Sequence, residues 1–421
     1  MKKSILLSAL LLLSVLQGFA QKNFTLNVEN EAVRYYMQHS DAAFSDATAT
    51  LGREWFDQKR DYRPDQPASL TIAFDGPSAE VTLSRDARFR DIVFSEEGVS
   101  GSYSFTNLIP GETYHYRFTS GGKILKKGRI VAAGQERMIA VPQCFNIRDL
   151  GGWKGLGGRR VRYGQIYRGG SPGGSDKDGN TSDMDAESKE AFHRIGVRAQ
   201  LDLRALSDKG RYPHETSLHS YTRGGTTLLE ADFNNTMTDN GAYCEDASLV
   251  CDIAWIIYEL KGGKPVFYNC RQGADRTGAV SFMIEALLGC YEYTMPGGGN
   301  QMAMDYELTG FSQSNLVDNW KTRSNVRSSR DAYSSRGKIF RQLMDADIPG
   351  AATLQQKCYW YLNRKYADLG IAIDDDDLDW FICHMLGLPE RQYARFRPSF
   401  ASDGGDLKTV GEAMANTVRY F

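Results

Sequence analysis

The stretch KPVFYNCRQGADRTGAVSFMIEALLG constrains the fold more than any other part of the chain. Its first residues are apolar without interruption, which is typical of a strand buried inside a parallel sheet. A short loop of small and polar residues follows, and the apolar spacing after the loop predicts a helix. A strand, a tight loop and a helix in this order predict an α/β unit. Cys270 would end the strand and Arg276 would begin the helix.

Other segments after residue 140 continue this alternation of strands and helices. The segment VRAQLDLR (197–204) predicts a short buried strand, and ASLVCDIAWIIYELKGG (247–263) has helical spacing and ends at a glycine pair. Beyond residue 300 the pattern is mostly that of amphipathic helices. We therefore predict an α/β domain over residues 140–390, with a mainly parallel central sheet flanked by helices. Residues 391–421 form a C-terminal extension without a clear assignment.

The N-terminal third has a different pattern, in which short alternating runs are separated by turn signals. SLTIAFDG is such a run, and AEVTLSRD and DIVFSEEG follow it. The spacing of Leu108, Pro110 and Tyr114 is typical of a tyrosine corner, in which a hydroxyl ties a strand to the preceding loop. These features predict an all-β sandwich over residues 24–135, and the segment 67–133 resembles the fibronectin type III family. Its residues do not indicate what the sandwich binds.

The first twenty residues predict a signal peptide. Lys2 and Lys3 precede an apolar stretch from Ile5 to Leu16, and small residues follow at the expected cleavage site. A membrane anchor is the alternative, but the apolar run is shorter than the roughly 20 residues that a spanning helix needs. No later segment is long and apolar enough to span a membrane. We expect an exported protein, periplasmic or secreted.

Charge and cysteine content exclude several classes of protein. The net charge of −2 gives no global attraction to nucleic acid. Seven cysteines, all after residue 140, leave at least one thiol unpaired and argue against a disulfide framework. The six histidines have no metal-ligand spacing, so we expect neither a metal nor a cofactor.

The residue types in the loop suit the chemistry of a phosphoryl group. Backbone N–H groups at a helix N-terminus bind oxyanions, and the same field favours a thiolate. The guanidinium of Arg276 can grip two phosphate oxygens at once. Gly273 lets the backbone approach the ligand closely, and Thr277 can offer its hydroxyl to the sulfur. Cys270 would then be the nucleophile that forms a cysteinyl-phosphate.

The loop resembles that of the cysteine-dependent protein tyrosine phosphatase superfamily. More narrowly, it is similar to an atypical bacterial branch whose loop carries Asp-Arg-Thr-Gly. Three further matches support this resemblance: NIRDLGG at 146–152, Tyr167 with Arg168, and LDLR at 201–204. The resemblance spans residues 140–390 and implies a protein tyrosine phosphatase of broad or dual specificity. Its substrates would be phosphorylated proteins or small phosphoesters.

The resemblance also implies roles for individual residues. Asp275 is the first candidate for the general acid and Asp232 the second. Arg148 and Arg168 could line an anionic substrate pocket, although structural ion pairs are the alternative. The phosphate loop would further include Asn269, Arg271, Gln272, Gly273, Ala274 and Gly278.

Asn269 departs from the superfamily, which usually has histidine before the cysteine. One interpretation is a catalytically silent protein that still binds phosphate. The other is an active phosphatase, because the remaining loop residues are intact and an amide can hydrogen-bond the loop. The branch often has lysine where this chain has Ala274, and that lysine favours multiply phosphorylated lipids. A phosphatase for inositol polyphosphates or phosphoinositides is therefore the alternative substrate class.

Overall fold

The computed structural model describes residues 22–38, 66–173, 184–204, 221–223, 226–229, 232–235, 246–270, 272–294, 300–311 and 343–397. These residues divide into two units. The first comprises residues 22–28 and 68–135, and the second comprises 29–38, 66–67 and 136–397. Residues 29–38 thus belong with the second unit, which corrects the single span of 24–135 predicted for the sandwich. The predicted signal peptide and residues 398–421 of the extension lie outside the described residues.

The first unit contains two β-sheets that share one core. The larger sheet has the order β1-β7-β6-β3-β4 and is antiparallel except between β1 and β7. Its strands are β1 Lys22–Asn27, β3 Ala79–Ser84, β4 Ile92–Val99, β6 Thr113–Ser120 and β7 Lys123–Ala133. The smaller sheet pairs β2 Leu70–Ala73 with β5 Ser102–Phe105. The ring of Phe105 lies 5.7 Å from that of Tyr116, so the apolar faces of the two sheets meet in a sandwich.

Tyr114 links β6 to the loop before it. Its side chain is buried, and its hydroxyl oxygen accepts a hydrogen bond of 3.0 Å from the backbone N–H of Ile109. This is the contact that the tyrosine-corner spacing predicts. The contact satisfies a buried phenol and fixes the chain at the start of the strand.

The second unit is built around a mainly parallel sheet of order β13-β10-β14-β9-β8. Only β8, at the edge, runs antiparallel to its neighbour. The strands are β8 Arg148–Asp149, β9 Ile166–Gly169, β10 Ala199–Asp202, β13 Asp232–Asn235 and β14 Val266–Asn269. A separate pair joins β11 Tyr221–Arg223 to β12 Thr226–Leu229. The central position of β14 explains why the segment before Cys270 is apolar without interruption.

Eight α-helices of the described residues belong to this unit, and the sequence had not indicated the first two of them. They are α1 Glu31–Gln38, α2 Ala186–Arg194, α3 Asp246–Lys261, α4 Asp275–Leu287, α5 Gln301–Glu307, α6 Leu354–Leu369, α7 Asp375–Leu386 and α8 Glu390–Tyr393. The acidic run 374–377 caps the N-terminus of α7. Asp374 precedes the helix, and its side chain accepts a hydrogen bond from the N–H of Asp377. Tyr393 on α8 is buried in the same core, so ordered structure extends past residue 390.

Helix α1 packs into the core of the second unit although it precedes the sandwich strands β2–β7 in the chain. Val33 is fully buried, Met37 is nearly so, and both belong to the cluster that contains Met138 and Leu150. The side chain of Glu29 also accepts a hydrogen bond of 2.9 Å from the N–H of Glu136. The second unit is therefore assembled from two separated segments of the chain.

No helix in the described ranges has the length and apolar character needed to cross a membrane. Six cysteines lie within those ranges, and all six are free thiols: Cys144, Cys251, Cys270, Cys290, Cys358 and Cys383.

Candidate active site

Cys270 directly follows the central strand β14 and precedes the turn that leads into α4. In the sheet Asn269 lies opposite Asp202 of β10 and Gly169 of β9, so the thiol is at the carboxyl end of three parallel strands. Ligands of open α/β sheets bind at this end. The thiol side chain is buried, with 3% of the residue exposed. Arg271 and the side chain of Asp275 lie outside the described residues.

Thr277 holds the backbone of the cysteine. The N–H of Cys270 donates a hydrogen bond of 2.9 Å to the hydroxyl oxygen of Thr277, which is fully buried. A hydroxyl that accepts one bond can still donate its own hydrogen. Thr277 therefore lies next to the nucleophile candidate, as the predicted role requires.

Arg276 is anchored to the end of the neighbouring strand. One of its terminal nitrogens donates a hydrogen bond of 3.0 Å to the carbonyl of Leu203, just beyond β10. A guanidinium has five donors in a planar fork, so it can hold a carbonyl and an oxyanion together. Arg276 and Cys270 are thus both fixed at the same end of the sheet.

Two glycines allow the loop to approach its neighbours. Gly273 has a φ of 67°, and a Cβ there would lie 2.4 Å from the carbonyl carbon of Gly169. A Cβ on Gly278 would lie 2.7 Å from the ring of Tyr306. Any other residue at position 273 would need both a strained backbone and a shift of β9.

The N-terminus of α4 has no side-chain cap, since the residue before Asp275 is Ala274. Its first N–H groups face the loop instead of a capping oxygen. These groups and the dipole of the helix make this end suited to a bound oxyanion.

Asn269 is fully buried, and its side chain bridges the two strands. Its amide oxygen accepts a hydrogen bond of 2.9 Å from the side chain of Gln200, and its amide nitrogen lies 3.4 Å from a carboxylate oxygen of Asp202. Asp202 in turn forms a buried ion pair with Arg204. The asparagine that replaces the usual histidine is therefore integrated into a polar network under the loop.

Arg148 and Arg168 are fully buried, and both form ion pairs with Asp305 on α5. Arg148 Nε lies 2.7 Å from one carboxylate oxygen, and Arg168 Nη1 binds the other. Burial leaves no surface of either arginine for a substrate. The structure thus favours structural ion pairs over the substrate pocket predicted for these residues.

Asn146 and Arg168 hold the outer face of the phosphate loop. The amide nitrogen of Asn146 donates to the carbonyls of Gln272 and Gly273, at 2.9 and 3.1 Å. Arg168 Nη2 donates to the Gly273 carbonyl at 3.0 Å. Every one of these contacts joins segments more than 100 residues apart in the chain.

The charges of this cluster shift its pKa values. Burial alone would raise the pKa of Asp305, but the charges of Arg148 and Arg168 outweigh burial and lower it. Burial, followed by the charge of Asp305, raises the pKa of Glu285 on α4 well above its ordinary value. Asp305 is therefore a carboxylate at neutral pH, whereas Glu285 keeps its proton over a wider pH range.

The two candidates for the general acid are placed only by their backbones. Asp275 is the first residue of α4, at the end that faces the loop. Asp232 begins β13, where it lies opposite Ala199 in the parallel pair with β10. Their side chains lie outside the described residues, so both candidates stay open.

Sequence reasoning missed Asp305, Gln200 and the loop contacts of Asn146. Asn146 carried a signal, because it opens the quoted segment NIRDLGG. Asp305 carried none, since it stands within the helical run QMAMDYEL without a neighbouring motif.

Comparison with known proteins gives one family. A model of the tyrosine phosphatase family matches residues 139–356. A protein of Cupriavidus necator that is named as a tyrosine-protein phosphatase is 26% identical over 168 residues. The match covers 36% of this chain, and the chain spans 58% of that relative.

Two solved structures are also similar over part of the chain. P. aeruginosa TpbA in complex with phosphotyrosine is 14% identical, with a TM-score of 0.22, and the match covers 42% of this chain and 90% of TpbA. Kinase associated phosphatase is 13% identical, also with a TM-score of 0.22, and the match covers 38% and 88%. The family model spans about half of the sequence and includes the whole loop from Cys270 to Arg276. The chain therefore belongs to the tyrosine phosphatase family.

Proposed function

We propose that this protein hydrolyses phosphomonoesters through a cysteinyl-phosphate intermediate on Cys270. The observation that carries the proposal is the position of the thiol, between the end of β14 and the uncapped N-terminus of α4. Arg276 starts the same helix and is fixed by the carbonyl of Leu203. This arrangement supports a site in which the thiolate, the backbone donors and the guanidinium would act on one phosphoryl group.

The reaction has two displacement steps. The Cys270 thiolate attacks phosphorus, an S–P bond forms, and the P–O bond to the leaving group breaks. The leaving oxygen takes a proton from an acid, for which Asp275 is the first candidate and Asp232 the second. Water then attacks phosphorus, the S–P bond breaks, and inorganic phosphate leaves. The chemistry needs no metal, because Arg276 and the loop N–H groups hold the transition-state charge.

Thr277 supports both steps from one position. Its hydroxyl oxygen holds the backbone N–H of Cys270, and we expect its own hydrogen to be donated to the sulfur of Cys270. A hydrogen bond to sulfur stabilises the thiolate before attack and as the leaving group in the second step.

Protein phosphotyrosine, with broad or dual specificity, is the substrate class we favour. Ala274 stands where the related branch often has lysine, and the lack of that cation disfavours multiply phosphorylated lipids. Phosphoinositides and inositol polyphosphates are the second class. The silent alternative is disfavoured because Asn269 is hydrogen-bonded to Gln200 and lies beside Asp202 instead of leaving a gap.

The first experiment measures turnover of an aryl phosphate by the purified protein and by Cys270→Ser. The serine variant should lose turnover, because an alcohol is a poor nucleophile at neutral pH, while it still binds an oxyanion. Cys290→Ser is the matched control, since Cys290 is also buried but lies beyond α4. Retained turnover in Cys270→Ser would refute the mechanism.

The second experiment compares three substrates with the active protein: a phosphotyrosine peptide, a phosphoinositide and phytate. We expect the highest kcat/KM with the peptide. A preference for either inositol compound would instead support the second substrate class.

We also propose that the protein is exported and that its sandwich is of the fibronectin type III kind. The observations are the charged and apolar pattern of residues 1–20 and the tyrosine corner at Tyr114. N-terminal sequencing of the protein purified from its native cells tests export. A mature chain that retains residue 1 would contradict it.

A further inference from the structure

Two successive carbonyls of the phosphate loop are held from outside by buried donors. The Gln272 carbonyl accepts from Asn146, and the Gly273 carbonyl accepts from both Asn146 and Arg168. Asn146, Arg168 and Gly273 are buried, and Gln272 is half-buried. Such contacts in a dry environment fix the orientation of each peptide plane.

Fixing a carbonyl also fixes the N–H on the other side of the same peptide. The described peptide bonds are all trans, so each C=O points opposite to the N–H of the next residue. The N–H groups of Gly273 and Ala274 therefore point away from Asn146 and Arg168. On that opposite side, consecutive N–H groups of the loop can form a concave anion site.

Asp305 joins the two donors into one assembly. It binds Arg168 through one oxygen and Arg148 Nε, at 2.7 Å, through the other. Arg148 Nη1 then donates a hydrogen bond of 2.6 Å to the side-chain oxygen of Asn146. This contact orients the Asn146 amide, so that its nitrogen faces the loop.

The negative charge of Asp305 is also needed to balance the positive charges of two buried arginines. Arg148 and Arg168 are two buried cations, and each contacts the same aspartate. Without a negative charge between them they would repel each other in a medium of low dielectric constant. Loss of the charge would therefore displace the arginines, and with them the carbonyls that they hold.

We infer that Asp305 is a positioning residue, which through Arg148, Asn146 and Arg168 aims the N–H groups of Gly273 and Ala274 at the bound oxyanion. The inference rests on the proposed function, because it concerns the loop that would bind the phosphoryl group. Asp305 does not contact the substrate and acts only through these three side chains.

The test uses the full chain and two readouts, of which one does not need activity. The first readout is the dissociation constant for tungstate, a tetrahedral oxyanion, measured by calorimetry. The second is the separation of kcat and KM for an aryl phosphate. We expect Asp305→Asn to weaken tungstate binding at least about tenfold and to lower kcat about a hundredfold, as loss of an oxyanion donor does. KM should change much less, because the donors act mainly in the transition state.

A second variant removes the loop contacts without disturbing an ion pair. Asn146→Gly eliminates the amide that binds Gln272 and Gly273, and glycine accepts the φ of 58° at this position without strain. It should weaken tungstate binding in the same direction. If Asp305→Asn does not fold, this variant decides the question.

The control for a merely structural role is Asp149→Asn. Asp149 forms an equally buried ion pair with Arg137, at 2.7 Å, but none of its hydrogen bonds goes to the loop. It should lower the melting temperature and leave both tungstate affinity and kcat within about threefold, because the side-chain contacts of Asp149 go to Arg137, Gly151 and Gly164 and not to the loop.

The results distinguish failure of the inference from failure of the proposed function. Folded variants at Asp305 and Asn146 with parental tungstate affinity would overturn the inference, and so would a parent protein that does not bind tungstate. A parent that binds tungstate but has no turnover refutes the proposed function. In that case weaker binding by Asp305→Asn would still support the inference.

Discussion

Asn269 is the residue at which this loop departs from its superfamily, and both ends of its amide are engaged. Gln200 donates to its oxygen, and its nitrogen faces Asp202. An asparagine is suited to this site because it offers an acceptor and a donor side by side. A histidine ring would have to fit into a fully buried space shaped for an amide.

The variant Asn269→Asp tests this account with almost no change in shape. A carboxylate has no N–H for Asp202 and would place two negative groups about 3.4 Å apart. We expect a lower melting temperature and a kcat reduced about tenfold, because Asn269 directly precedes Cys270, the proposed nucleophile.

Asn363→Asp is the matched control for that change. Asn363 also donates to an aspartate, Asp375, but at the surface of α6. Solvent screens a repulsion there, so the melting temperature and kcat should stay near those of the parent. Equal effects of the two substitutions would contradict a special role for the buried amide.

Gly273 gives a second prediction at the scale of the residue. Alanine there would meet Gly169 at 2.4 Å and would adopt a left-handed φ. We expect Gly273→Ala to lose most turnover, and tungstate titration should show weaker binding.

Gly196→Ala is the control that separates the backbone strain of a positive φ from the steric contact with β9. Gly196 also has a positive φ, of 92°, but a Cβ there meets nothing within 4 Å. This variant should cost only the backbone strain, about 1–2 kcal/mol. If it impaired turnover as much as Gly273→Ala, the close approach to β9 would not matter.

At the scale of elements, the two ends of α4 have different surroundings. Its first turn faces the phosphate loop, whereas Glu285 in its last turns is buried near Asp305. Neither carboxylate oxygen of Glu285 has a hydrogen-bond partner among the described residues. A buried group of this kind is stable only while it is protonated.

Glu285 therefore makes stability depend on pH. Burial and the charge of Asp305 raise its pKa well above the ordinary value of 4.5. Above pH 4.5 the unfolded chain releases this proton while the folded protein keeps it, so stability falls as pH rises towards the folded pKa. Below that value the carboxyl is neutral in both states and has no effect.

Glu285→Gln removes the titration and keeps the shape of the neutral side chain. We expect the free energy of unfolding of the variant to exceed that of the parent by a growing margin as pH rises above 4.5 towards the folded pKa, by up to about 1.4 kcal/mol for each pH unit. Scanning calorimetry at a series of pH values measures this gap. Glu292→Gln, the same substitution at an exposed position, is the control. A constant gap for Glu285→Gln would contradict the account.

Local elements of the fold were predictable because their signals are local. The strand, loop and helix around Cys270 stand within one stretch of sequence, and α4 begins one residue before the predicted start. The contacts beneath the loop were not predictable. Asp305 and Arg148 are separated by 157 residues, and neither strand period nor helix period specifies such a meeting. The choice between a substrate pocket and structural ion pairs for Arg148 and Arg168 stayed open in the sequence for the same reason, since their partner Asp305 was unknown.

At the scale of the whole molecule, the phosphatase unit includes α1, which a boundary near residue 135 would remove. Val33 of this helix is fully buried in the core that contains Met138. A fragment that starts at residue 137 should therefore be less stable than the full chain, contrary to a simple division into two successive domains.

Val33→Ala tests the contribution of α1 within the intact chain. Deleting its two methyl groups should cost about 2 kcal/mol, through lost burial and the cavity that remains. The temperature at which turnover is lost measures the effect on the phosphatase unit. Leu369→Ala is the control, because Leu369 is 47% exposed and should matter little. A parental inactivation temperature for Val33→Ala would show that α1 is dispensable.

The interleaved chain order has a consequence for the route of folding. When β1 pairs with β7, the N–H of Val28 comes within 2.9 Å of the carbonyl of Ala133. Glu29 directly follows Val28, Glu136 follows Ala133 after two residues, and these two glutamates are themselves joined by a hydrogen bond. Formation of the sandwich thus shortens the loop that separates α1 from its core from about a hundred residues to a few. Loop-closure entropy makes this shortening worth about 2 kcal/mol, so we expect the second unit to assemble more readily once the sandwich strands have paired.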